Sequence, residues 1–312
     1  MDIYSIEELF PDYLRFLWKE VEKHKKKLQE IRIRANQPVM LYIDREEFFL
    51  DCKGNLQKNR DSSFKGSIED IRSILNHLCQ YSLYAYEEEL RQGYFTIQGG
   101  HRVGIAGQVI QEQNRVKNIK YISSINIRIA HEIKGAANAV LPYIYHQNEI
   151  YNTMIISNPG CGKTTLLRDL IRQISDGNQF GYGRNVGVVD ERSEIGGSYM
   201  GVPQNDVGMR TDILDACPKV VGMMMLIRSM APRVVAIDEI GSADDLQALH
   251  SVLQCGCRLI VTVHGDSLNE IKEKELFRPI MKNSMFERFI ILGNQKKACM
   301  VQEICDANGK VI

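Results

Sequence analysis

One segment constrains this chain more than any other: Ser157-Asn158-Pro159-Gly160-Cys161-Gly162-Lys163-Thr164-Thr165. It follows a short apolar run, Met154 to Ile156, and opens a helical stretch, Leu166 to Ile174. A glycine-rich turn from strand to helix aims backbone N–H groups and the helix N-terminus at one point, where they can cradle phosphate oxygens. Lys163 is then placed to contact β and γ phosphates, and the Thr164 hydroxyl to ligate Mg²⁺. Ser157 stands where the G-x-x-x-x-G-K-T pattern has its first glycine, and is small enough for the loop to close. Further β-rich apolar runs follow at Val186 to Val189, Val234 to Ile237, Leu259 to Val263 and Phe289 to Leu292, alternating with helical stretches. Their near-continuous apolar character predicts a parallel sheet covered on both faces, hence an α/β fold.

Charged residues collect at the predicted strand ends. Arg233-Val234-Val235-Ala236-Ile237-Asp238-Glu239 puts two carboxylates at the C-terminal end of a strand, where open α/β sheets bind ligands. Asp238 is expected to hold Mg²⁺ through its water shell and Glu239 to act as general base on water. The next strand ends in Thr262-Val263-His264-Gly265, so His264 can sense the γ-phosphate or hold the attacking water. After Val189, Asp190-Glu191-Arg192-Ser193-Glu194-Ile195 adds three carboxylates and an arginine, with Glu191 or Glu194 available to orient water. Transfer of a phosphoryl group needs positive charge, for which Arg210 and Arg228 are candidates, in cis or from a neighbouring subunit. No N-K-x-D tetrad follows the loop, which favours ATP over GTP. A strand-end Glu beside the metal-holding Asp favours water over a kinase acceptor.

The first half reads differently. Residues 5–30 have helical spacing at Leu14, Leu17, Trp18 and Val21, with a basic run from Lys23 to Lys27. Strand-like segments at Ile31 to Ile33 and Val39 to Ile43, a helix from Ile68 to Tyr81, and glycine-punctuated strands from Tyr94 to Ile110 suggest a small α+β domain. The boundary is expected between Pro142 and Asn152, giving domains 1–147 and 148–312.

Composition narrows the function classes. Of 312 residues, 39 are Lys or Arg and 39 Asp or Glu, and a split at residue 149 leaves both halves close to neutral, which disfavours a general electrostatic nucleic-acid binder. The eight cysteines form no C-x-x-C pair and have no His at zinc spacing, so reduced thiols in a cytosolic protein are expected. The acidic N-terminus, Met1 to Glu8, has no apolar signal region, and no apolar run is long enough to span a membrane.

With these residues placed, the chain resembles the stage III sporulation protein AA family, a branch of the secretion ATPase superfamily that includes type II secretion and type IV pilus motors. The resemblance covers nearly the whole chain and is carried by Glu30 to Arg34, Tyr84 to Tyr94, Gly99 to Gly104, Asp190 to Ile195, Arg210 to Asp215 and Gly222 to Met230. It implies a RecA-like P-loop ATPase core behind a smaller N-terminal α+β domain, with ATP and Mg²⁺ bound, and assembly into a ring, most simply a hexamer. It further implies work on the cytoplasmic, mother-cell side of a membrane channel built from other stage III sporulation proteins. In such motors N-domain arginines close over the γ-phosphate, and Arg102 and Arg128 sit in matching surroundings. Asp190 to Glu194 matches the superfamily's Asp box weakly, and Thr262 to Gly265 resembles its His box. Two other readings stand beside the motor: a scaffold gated by ATP binding with little turnover, and a nucleic-acid translocase.

Overall fold

The computed structural model describes residues 5–112, 115–293 and 299–312. Met1 to Tyr4, half of the N-terminal stretch considered above, lie outside the described residues. Two compact units are present, Met1–His131 and Glu132–Ile312.

The first unit begins with two 3₁₀ turns, Ile6–Leu9 and Asp12–Trp18, and a short helix α1 (Lys19–Glu22). The helical expectation for residues 5–30 therefore fails at its end. Leu28 already belongs to strand β1 (Leu28–Arg34), where buried Ile31 and Ile33 alternate with half-buried Arg32 and Arg34. That period of two puts the apolar side chains on one sheet face. β2 (Met40–Ile43), β3 (Glu46–Leu50) and β4 (Leu56–Gln57) follow, then α2 (Ile68–Leu78), α3 (Glu87–Arg91), β5 (Tyr94–Ile97), β6 (His101–Glu112) and β7 (Arg115–Arg128). The seven strands form an antiparallel sheet in the order β4-β3-β2-β1-β7-β6-β5. α2 starts at a Ser67–Asp70 capping box and ends at Leu78, short of the expected Tyr81, because Gln80 and Tyr81 take positive φ.

The second unit opens with α4 (Leu141–Ile144) and a small hairpin of β8 (Tyr145–His146) and β9 (Glu149–Ile150). Then come β10 (Thr153–Ser157), α5 (Lys163–Asp176), a second small hairpin of β11 (Gly177–Asn178) and β12 (Gly181–Tyr182), β13 (Val186–Asp190), β14 (Thr211–Asp215), α6 (Lys219–Ser229), β15 (Val234–Ile237), α7 (Ala243–Gln254), β16 (Arg258–His264), α8 (Leu268–Glu273), α9 (Arg278–Lys282), β17 (Arg288–Leu292) and β18 (Val301–Asp306). The sheet order is β14-β13-β15-β16-β10-β17-β18, parallel throughout except for the antiparallel edge strand β18.

Successive strand residues supply opposite layers. Ile155, Val234 and Ala236 pack with Leu166, Leu167, Leu170 and Ile171 of α5, whereas Met154, Ile156, Val235 and Ile237 pack with Met223 of α6 and Leu249 and Val252 of α7. Each fully buried aliphatic side chain contributes about 1.5–3 kcal/mol, so the all-buried strands predicted from sequence are what hold the three layers together. The division between units falls earlier than the expected 147/148 boundary. Ala137, Val140, Leu141 and Ile144 are buried in the α5 layer, so residues 132–147 fold with the second unit.

Candidate functional site

β10 delivers Ser157 to the C-terminal rim of the parallel sheet, and the chain turns through residues 158–162 into α5. Gly160 and Gly162 carry φ of 79° and 93°, a region costly for any residue with a Cβ, and Gly162 is the N-cap of α5. Ser157 has no such requirement: it ends β10 in strand geometry, and its Oγ donates to the Asn158 carbonyl at 3.0 Å. This explains why serine replaces glycine there. The Asn158 side chain donates to Asp266, and Pro159 and Cys161 continue the turn. Thr165 lies in the first turn of α5.

Lys163 is almost fully buried. Its ammonium donates to the carbonyls of Ser157 (2.9 Å) and Asn158 (3.3 Å) and to His264 Nδ1 (3.0 Å). Burial pulls its pKa below the ordinary lysine value, opposed by the charges of Asp238 and Glu239. Because Nδ1 accepts from Lys163, the His264 ring proton sits on Nε2, which faces Glu239 Oε1 at 3.0 Å. The other Glu239 oxygen pairs with Arg192 Nη1 at 2.7 Å.

β15 presents Asp238 and Glu239 beside this loop. Thr164 Oγ1 donates to Asp238 Oδ2 at 2.7 Å, while the buried Thr262 hydroxyl donates to Asp238 Oδ1 and accepts the Glu239 N–H at 2.8 Å. Glu239 has φ of 55°, a strained setting for a glutamate that the Thr262 bond helps to fix. The Thr164 hydroxyl and the Asp238 carboxylate are hard oxygen donors in mutual contact, the donor set a small divalent cation prefers, so these residues fit Mg²⁺.

The loop after β13 closes one side. Asp190 is 2% exposed, and its carboxylate accepts the N–H groups of Glu194, Ile195 and Gly196 at 2.8–2.9 Å. Burial pushes its pKa up to about 6 against those bonds. Asp190 thus shapes the turn, and the same turn is gripped by the half-buried Arg168, whose guanidinium donates to the Ile195 and Glu194 carbonyls at 2.7 and 2.6 Å. Glu194 lines a narrow cleft together with Glu191, Arg192, Lys219, Asp238 and Glu239.

Sequence reasoning brought Lys163, Thr164, Asp238, Glu239, His264 and Glu194 to one rim, and there they are. Arg210 and Arg228, candidates for the phosphate in cis or from a neighbouring subunit, are not brought to this rim. Arg210 immediately precedes β14 and donates to the Ser175 carbonyl at 2.9 Å, while Arg228 lies in the last turn of α6, ahead of β15. Both lie at the N-terminal rim, opposite the loop. Arg102 and Arg128 are register partners on β6 and β7 of the first unit, Arg102 lying 3.5 Å over the Tyr94 ring and Arg128 3.7 Å from Glu30. Arg168, Lys219 and the roles of Arg192 and Thr262 were missed. The pairing of β13, β15 and β16 creates the contacts of Arg192 and Thr262, while Arg168 and Lys219 reach the loop after β13 from α5 and α6.

The family model described as sporulation stage III, protein AA matches residues 3–312. Stage III sporulation protein AA of Bacillus subtilis strain 168 is 42% identical over 309 residues, covering 99% of this chain and 96% of that protein. Among solved structures, the Legionella pneumophila ATPase DotB superposes with a TM-score of 0.57 at 14% identity, over 90% of this chain and 76% of DotB. The pilus retraction motor PilT with bound ADP gives 0.57 at 12% identity, over 88% of this chain and 77% of PilT. These two likenesses concern the fold. The chain therefore belongs to the stage III sporulation protein AA family and carries the α/β P-loop fold of the secretion ATPases.

Proposed function

We propose that this protein is an ATP-hydrolysing motor working as a ring, most simply of six copies, that powers or assembles a sporulation-associated membrane channel from the mother-cell side. The observation that carries the reading is the continuous polar network Lys163–His264–Glu239–Arg192 beside Thr164–Asp238–Thr262. The loop amides, the α5 N-terminus and Lys163 bind the β and γ phosphates of ATP. Mg²⁺ held by Thr164 and Asp238 neutralises phosphate charge when bound.

The two oxygens of Glu239 are engaged by His264 and Arg192. A γ-phosphate offers Arg192 and Lys163 a more highly charged partner, so Arg192 leaves Glu239, which then accepts a proton from water. Glu194 orients that water. His264 stays on Glu239 and reports whether the γ-phosphate is present. Arg102 and Arg128 of the first unit are proposed to close over the phosphate, and Arg210 and Arg228 are kept as residues a neighbouring copy could supply. Among the described residues no helix is long and apolar enough to cross a membrane, which supports docking to the channel through partner proteins.

The test is Mg-ATP turnover per subunit against protein concentration, with Glu239→Gln as control. Specific activity that rises with concentration and vanishes in Glu239→Gln is the expected result. Turnover that is independent of concentration, or undiminished in Glu239→Gln, would overturn the reading.

A further inference from the structure

At the rim opposite the phosphate loop, three adjacent strands are each led in by an arginine. Arg184 lies two residues before β13, Arg233 immediately before β15, and Arg258 is the first residue of β16. The three guanidinium groups, with Glu149, Ile150 and Gly256, line a cavity of about 240 Å³. β15 spans four residues, so this cavity lies about 13 Å along the strands from the loop rim.

Its charges are poorly compensated. Arg184 donates to Glu149 at 2.9 Å and to the Asn148 carbonyl at 2.5 Å, yet its Nε is buried and has no hydrogen-bond partner among the described residues. Arg258 meets Glu287 only at 3.4 Å. The exposed Arg233 has no side-chain partner among the described residues. Guanidinium groups stay charged at any physiological pH, so three arginines face Glu149 in the lining and the loosely engaged Glu287 just outside it, which leaves Arg233 without a counter-charge. A Cβ at Gly256 would meet nothing within 4 Å, so the lining is open there.

We propose that this cavity is a second anion site, selective for a soluble phosphate dianion and separate from the nucleotide loop. A tetrahedral dianion has enough acceptor oxygens to engage guanidinium groups from three neighbouring strand starts at once, Arg233 with no counter-charge among them. A monocarboxylate engages one guanidinium fork and leaves the others unpaired. The site does not depend on ATP hydrolysis at the opposite rim.

The test is calorimetric titration of inorganic phosphate into the full chain carrying Lys163→Ala, which disables the loop, with and without Arg233→Glu. The expected result is that Lys163→Ala retains a phosphate site and that adding Arg233→Glu weakens it at least about tenfold. Arg233→Gln, a milder change at an exposed side chain, is expected to weaken it in the same direction. Acetate at equal concentration is expected to bind more weakly than phosphate. Loss of all phosphate binding in Lys163→Ala alone, binding indifferent to both Arg233 variants, or acetate equal to phosphate would each overturn the proposal.

Discussion

His101 makes the first unit sensitive to mild acid. Its side chain is fully buried, Nδ1 accepts the Ala130 N–H at 3.1 Å, and the remaining ring nitrogen has no partner among the described residues. Charging the ring would bury a cation without an acceptor, near Lys25 and His131, so burial drives its pKa from 6.5 down to about 4. Below pH 6.5 the unfolded chain takes up a proton that the folded chain refuses. Stability is therefore full above that pH and falls as pH drops toward 4. With each pKa unit worth about 1.4 kcal/mol, the loss is about 2 kcal/mol at pH 5 and about 3 kcal/mol at pH 4. The protein contains one tryptophan, Trp18, buried in this same unit and stacked on Phe10 at 3.7 Å, so its fluorescence follows this unit during urea unfolding. Comparing the native chain with His101→Gln isolates the titration. The stability difference between the two should shift by about 2 kcal/mol in favour of His101→Gln between pH 7.5 and pH 5. A difference that stays constant across that range would refute the reasoning.

Two predictions concern the loop rim. Thr262→Val keeps the side-chain shape but strips Asp238 and the Glu239 amide of their shared hydroxyl; with about 1–3 kcal/mol lost per unsatisfied buried group, Mg-ATP turnover should fall about ten- to hundredfold, and equal loss of ADP affinity measured by calorimetry would argue for a collapsed loop instead. Ser157→Gly restores the usual loop pattern but should change ATP affinity by less than about threefold, because Ser157 already has strand geometry; a larger gain in equilibrium binding would show that the serine constrains the loop.

The phosphate loop was legible because its chemistry is local: glycines at positive φ, then Lys163 and Thr164 on the first turn of α5, all within a few residues. Asp238, Glu239 and His264 were legible because ligands collect at the C-terminal ends of parallel strands. That Arg210 and Arg228 lie at the opposite rim of their own chain was not legible, because their charge was weighed without the direction of the strands they precede. β14 and β18 escaped the reading for a different reason. β14 is an edge strand of half-buried residues and β18 an edge strand with exposed Gln302 and Glu303, so neither shows the continuous apolar run of a central strand. Arg192 carries no signal of its own. Its partner Glu239 is close only because β13 and β15 are neighbours, although α6 lies between them in sequence.

The approach to β18 returns to the nucleotide loop. The Cys299 amide donates to the Cys161 carbonyl at 2.8 Å, and its thiol lies 3.2 Å from the Gly162 carbonyl. The outer wall of the loop is thus fastened to a segment far along the chain. Hydrogen–deuterium exchange at the Cys299 amide therefore reads the ordering of the loop from outside it, without a labelled nucleotide, and alkylation of the part-buried Cys299 thiol offers a chemical footprint of the same opening.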